Sequence, residues 1–262
     1  LREGTTFYTE NKGFSCLCYE LSKYLSKLHN THISEDRLLI TSSGMNGLML
    51  AAQAIIEPND KVIAVTPVWP NFIRCVEIMG GKVKEFPLNL VENKWKLNID
   101  KLLSHTKNIK AIYINSPNNP TGWIISKEEQ KYILNFCNKN KIWLISDEVY
   151  SRIVYRDKYA PSFIDIYKDG DPLIVINSFS KAWSMTGWRL GWAVIPTSLV
   201  SIFEKLNEFN IASASSIAQI AGIKALEKSD YIIKNTLYRF NISKNLLIKK
   251  FRKYHNIDFG YP

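Results

Sequence analysis

The chain has 262 residues, 46% hydrophobic and 22% charged, with a formal net charge of +10; this suits one main domain, or one with a small appendage, and excludes a disordered chain. The lysines are scattered through segments such as KLNIDK, NKNKIW and ISKNLLIKKFRK, so the charge reads as a solvated basic surface and not as a nucleic-acid partner's docking stripe. No apolar run approaches the roughly 20 residues of a membrane span, and Cys16, Cys18, Cys75 and Cys137 form no C-x-x-C pair and have no His at zinc-ligand spacing, which predicts no metal and free thiols in a reducing cytoplasm.

No secretory signal is visible; the chain opens at Leu1 rather than Met, so its true start is not expected among these residues. Residues 1 to 14, LREGTTFYTENKGF, read as an extended polar segment with turns at Gly4 and Gly13. Apolar residues at 17, 21, 25 and 28 predict a helix over Leu17 to Leu28. RLLITSS then reads as a strand ending at SSGMNG, and a helix follows from Gly44 to Ile56. A strand passing through small residues into a helix N-terminus can cradle an anion, because the free N–H groups and the helix dipole both favour negative charge. The same residues also serve tight turns for geometry alone.

Strand and helix signals go on alternating: KVIAVTP, a helix over Asn71 to Met79, KVKEFPL, a short helix over Ile99 to Ser104, IKAIYIN, a helix over Glu128 to Asn138, then IWLIS, PLIVINS and RLGWAVI. From about Leu199 the pattern is helical, ending in a long segment over Asp230 to Lys253. This repetition predicts a three-layer α/β/α domain with a mainly parallel sheet. Ligands of such sheets sit at the carboxyl ends of the strands. Gly44, Trp69, Asn119, Asp147 and Lys181 all fall at those ends.

The most informative run is Ile176 to Trp192, INSFSKAWSMTGWRLGW. A lysine amine forms a Schiff base with an aldehyde only when partly deprotonated, which burial and a nearby positive charge promote. Lys181 can be that amine, and Arg189, eight residues on, can supply the charge and hold a phosphate. The run resembles the SxSK…TGWRxGW cofactor-lysine motif of pyridoxal-phosphate aminotransferases of classes I and II. SSGMNG, TPVWPNF, SPNNPTG and SDEVY are similar to that family's other motifs, in matching order over roughly residues 4 to 230.

Pyridoxal phosphate makes four demands of a protein. An amine must hold its aldehyde and later move the proton, which the resemblance assigns to Lys181. A carboxylate must keep the pyridine nitrogen protonated; Asp147, in ISDEVY, can do so, with Glu148 the competitor that strand alternation points to the other side. The phenolic oxygen needs hydrogen-bond donors, and Asn119 and Tyr150 carry that role by resemblance. The phosphate needs anion ligands and the ring a stacking face: Ser43, Gly44, Met45, Ser178 and Arg189 for the first, Trp69 for the second. Tyr8, in FYTENKG, resembles the tyrosine that reaches the neighbouring subunit's phosphate.

The resemblance therefore implies fold type I, a homodimer with its sites at the interface, and amino transfer from an amino acid to a 2-oxo acid. Residues 1–230 would form the cofactor-binding large domain, and residues 231–262 a long helix leading toward a C-terminal small domain that carries the substrate-carboxylate arginine and has no counterpart here. Rival readings are a carbon–sulfur lyase or decarboxylase on the same scaffold and a catalytically inert regulatory domain; intact Lys181, Asp147 and Arg189 argue against the last. About 35 residues beyond the lysine, where one aspartate-specific subgroup has an Arg from its partner, this chain reads IASASS. Aspartate, aromatic and neutral amino acids all stay open as substrates.

Overall fold

The computed structural model describes residues 6–254; the turn expected at Gly4 and residues 255–262 of the last expected segment lie outside them. Its centre is a seven-stranded sheet in the order β1-β9-β8-β7-β6-β2-β3, formed by β1 (Leu38–Thr41), β2 (Lys61–Thr66), β3 (Lys82–Pro87), β6 (Ala111–Asn115), β7 (Trp143–Asp147), β8 (Leu173–Ser178) and β9 (Gly191–Val194). β2 pairs in parallel with β3 and β6, β6 with β7, and β7 with β8. β9 alone runs the other way, antiparallel to both β1 and β8. The expected mainly parallel sheet is the one observed.

Every residue of β6 and β8 is buried, the continuous apolar burial of strands covered on both faces. Alternation divides their side chains between two cores. Ile112, Leu144 and Val175 face one core with α1 (Ser15–His29), α4 (Ile99–Ser104), α5 (Lys127–Asn140) and α7 (Ser216–Glu227), through Leu17, Leu21, Leu102, Ile133 and Ala218. Tyr113, Ile145 and Ile176 face the other with α2 (Gly44–Ile55), α3 (Asn71–Ile78) and α6 (Val200–Ile211), through Leu48, Ala51, Phe72, Val76 and Phe203. These are the three expected layers.

Local chemistry starts the helices where it was predicted. Ser43 caps α2 by accepting the Asn46 N–H at 3.0 Å, and Ser126 with Glu129 forms a reciprocal capping box on α5. The expected helix over Leu17 to Leu28 extends by a few residues at its ends, and Cys18 is buried on it while Cys16 is exposed. Burial pushes the thiols of Cys18, Cys75 and Cys137 up to about 12, 11 and 12.

Two features depart from the expected elements. A hairpin, β4 (Asn89–Val91) with β5 (Lys94–Lys96), occupies a stretch that carried no strand signal; it turns through Glu92 and Asn93 at φ 50° and 60°, the left-handed pair a two-residue hairpin needs. RLGWAVI contributes a strand only from Gly191, because Arg189 sits at φ 54° after a 3-10 turn over Thr186–Trp188. The helical tail divides into α6, α7 and α8 (Ser229–Phe251). Beyond Thr236 no described residue of α8 is buried, and no described helix is long and apolar enough to cross a membrane.

Candidate active site

The carboxyl ends of β2, β6, β7 and β8 and the start of α2 converge on a cavity of about 320 Å³. Ser43, Gly44, Met45, Trp69, Asn119, Asp147, Tyr150, Ser178, Lys181 and Arg189 line it. Ten residues spread over 147 positions of chain thus line one cavity, and only Tyr8 of the expected set stands apart, 86% exposed.

The cation-rich side is built by the turn after β8. Ser178 Oγ accepts the Ser180 N–H at 3.0 Å and lies 3.1 Å from Leu190 O, tying β8's end to the segment before β9. Arg189 is fixed by its Nη1 donating to Thr186 O at 2.7 Å, and it makes no ion pair among the described residues. Gly191 permits this closeness: a Cβ there would lie 2.8 Å from Asn177 O, Gly44 N and the Ser43 carbonyl carbon. Its bareness lets β9 pass against the start of α2, whose first residues, Ser43, Gly44 and Met45, line the cavity at the positive end of the helix dipole.

Opposite stands Asp147, 3% exposed. Its Oδ2 accepts the Tyr113 hydroxyl at 3.0 Å and its Oδ1 the Val149 N–H at 3.3 Å. Burial pushes its carboxyl up to about 6, against the pull of those two donors and of Lys181. Tyr113, buried and beside this carboxylate, is raised well above 10 and stays a donor. Glu148 points behind the strand, as alternation required: it accepts from Ser162 Oγ at 2.5 Å, from Phe163 N–H at 3.0 Å and from Ser146 Oγ at 3.1 Å. It does not line the cavity.

Lys181 Nζ lies 5.5 Å from the centroid of the Tyr150 ring, and the Asn119 amide donates to Tyr150 Oη at 3.4 Å. Trp69 is 40% exposed at the rim, held by its N–H donating to Asn119 O at 2.8 Å.

Sequence reasoning missed Tyr113, Asn115, Ser180 and Thr186. Asn115 joins two expected residues: its Nδ2 donates to Asp147 O at 3.0 Å and its Oδ1 accepts the Asn119 N–H at 2.7 Å. Alternation of 111, 113 and 115 onto one side of β6 was readable in the sequence, but the register that sets Asn115 beside Asp147 was not.

The family model for aminotransferase class I and II matches residues 2–258. The chain belongs to that family. Among curated members, the aspartate aminotransferase of Thermotoga maritima is 31% identical over 258 residues, covering 97% of this chain and 66% of the relative. That of Pyrococcus horikoshii is 32% identical over 272 residues, covering all of this chain and 67% of the relative. The crystal structure of the Thermotoga maritima enzyme superposes with a TM-score of 0.87 at 30% identity, over 97% of this chain and 66% of that one. This member of the family thus spans about two thirds of its relatives' length, and its sheet and flanking helices are theirs.

Proposed function

We propose that this chain binds pyridoxal 5'-phosphate in the 320 Å³ cavity and serves transamination between an amino acid and a 2-oxo acid. One observation carries the reading: Lys181, the buried Asp147 carboxyl and the α2 N-terminus with Arg189 line the same cavity, an amine, an anion and an anion-binding cradle together. The donor set fits the cofactor. Asp147 is buried, held by a hydroxyl and an N–H and in no ion pair among the described residues, and a protonated ring nitrogen would give it a contacting cation. Arg189 has no anionic partner among the described residues, and a phosphate supplies one.

When bound, the cofactor supplies an aldehyde and an electron-withdrawing ring that stabilises negative charge at the substrate α-carbon. Lys181 would hold the aldehyde and then move the proton at that carbon. Asp147 would keep the ring nitrogen charged, with Tyr113 and Val149 holding the carboxylate in place. Asn119 and Tyr150 would donate toward the phenolic oxygen. Ser43, Gly44, Met45, Ser178 and Arg189 would hold the phosphate, and Trp69 would offer a face for the ring. Tyr8, exposed on this chain, is free to reach a second copy in a homodimer.

Half-reactions test the reading. Pyridoxal phosphate is added to the protein and the visible absorbance of the lysine-bound cofactor is followed as each amino acid is supplied in turn. Aspartate, aromatic or neutral amino acids should convert it to the amine form with release of the 2-oxo acid. Release of pyruvate and a thiol, or of carbon dioxide, would assign the scaffold to lyase or decarboxylase chemistry instead.

A further inference from the structure

A second cavity, of about 560 Å³, opens where α1 meets the start of α8 and the loop that follows β7. It shares no lining residue with the first. Arg152 lines it and is 6% exposed. A guanidinium carries five N–H donors. Arg152 Nε donates to Lys158 O at 3.1 Å and Nη1 to the Tyr24 hydroxyl, and the group lies 5.7 Å from the Tyr24 ring centroid. No described carboxylate pairs with it. Buried charges in proteins are ordinarily paired, because an uncompensated one loses its hydration without return.

The rest of the cavity leans the same way. Lys27, Lys158 and Lys228 line it and form no ion pair among the described residues. Of its three carboxylates, Glu20 lies 3.8 Å from Lys23 Nζ and Glu227 2.8 Å from Lys224 Nζ, which leaves Asp230 alone to face four cations. Ser229, Asp230 and Tyr231, the first turn of the 23-residue α8, also line it. No side chain caps that helix, and the N–H groups of a first turn have no partner within their own helix.

We propose that this cavity binds a phosphate-bearing small molecule, with the phosphate between Arg152 and the first turn of α8. A dianion matches the surplus of positive charge better than a monocarboxylate does, and a guanidinium with a helix N-terminus is a phosphate-binding pair. The volume exceeds what a phosphate alone fills, and Tyr24 and Tyr231 line the remainder as faces for an organic moiety.

The test uses the full chain loaded with one equivalent of pyridoxal phosphate, without reduction, and then dialysed, so that any phosphate ligands in the first cavity are occupied while the lysines of the second are left unmodified. Inorganic phosphate is titrated calorimetrically against acetate at constant ionic strength, on wild type, Lys27→Gln/Lys158→Gln and Arg152→Lys. Both lysines are exposed, and thermal midpoints confirm that each variant folds. Phosphate binding at least tenfold tighter than acetate, weakened tenfold or more in Arg152→Lys and more mildly in the lysine pair, is the expected result. Tungstate soaked into crystals should give its anomalous peak beside Arg152. Unchanged affinity in Arg152→Lys and in the lysine pair, or equal binding of acetate, would overturn the proposal.

Discussion

Asp147 and Glu148 are adjacent in sequence, both buried, and held from opposite sides of β7: Tyr113 donates to the first at 3.0 Å and Ser162 to the second at 2.5 Å. One carboxyl lines the cavity and the other anchors the strand end to the 3-10 turn over Phe163–Asp165. Two similar groups thus have different work, and substitution separates them. Asp147→Asn keeps the shape but cannot hold a ring nitrogen protonated, so turnover should fall on the order of 100-fold, while Glu148→Gln keeps its rate per folded molecule. Single-turnover rates with the best amino acid check this, and the reverse pattern would exchange the two assignments.

The same pair predicts how stability depends on pH. Burial pushes Glu148 from 4.5 up to about 7 and Asp147 from 3.8 up to about 6. A group whose folded pKa is raised binds its proton more tightly in the native state, so stability declines as pH rises from the unfolded to the folded value and is level above it. For Glu148 alone the decline amounts to about 3 kcal/mol. The upper part of the decline is carried mainly by Glu148, whose folded value is the higher of the two. Urea unfolding of cofactor-free protein should show that limb in wild type and lose it in Glu148→Gln.

Lys181 is the one lysine among the residues that line the 320 Å³ cavity. Borohydride reduction with pyridoxal phosphate followed by peptide mapping should place the adduct on it. Lys181→Ala should still retain cofactor, because the other ligands remain, and lose roughly a hundred- to ten-thousand-fold in turnover with the proton-moving group gone. Absence of the adduct from Lys181 in the wild type would remove it from its role.

Gly191→Ala tests the packing of the cradle. The added methyl would meet three backbone atoms at 2.8 Å, and backbone cannot swing aside as a side chain can. A loss of about 1–3 kcal/mol is expected, with weaker retention of pyridoxal phosphate as the start of α2 is displaced. Thermal unfolding and cofactor titration measure the two effects.

The cavity lining contains a single guanidinium, that of Arg189. If the phosphate engages it, no second one among the described residues lines the cavity for a substrate carboxylate, the usual handle for aligning the α-hydrogen. Residues 1 to 262 should therefore bind pyridoxal phosphate yet transaminate far more slowly than a chain extended to its relatives' length. Comparable rates would mean that the grip is already present.

Much of this was legible in the chain because its signals are local. The capping serines 43 and 126, the buried runs IKAIYIN, IWLIS and PLIVINS, and the motif residues at their ends each depend on neighbours a few positions away. Alternation alone separated Asp147 from Glu148. Other features depend on contacts across the sequence. RLGWAVI reads as a strand, and its pairing with the nearby β8 is short-range, but its place between β8 and β1 depends on pairing with residues about 150 positions earlier. The hairpin at Asn89–Lys96 is short and mostly exposed, so no hydrophobic period announced it. Tyr113 and Asn115 look like ordinary strand residues until register lays β6 beside β7, and Arg152 looks like a surface arginine until α1 and α8 close over it. Composition and spacing determined which groups this protein carries; which of them lose water, and with what partner, was decided only when distant segments packed together, because desolvation is a property of the assembled interior and not of any stretch of chain.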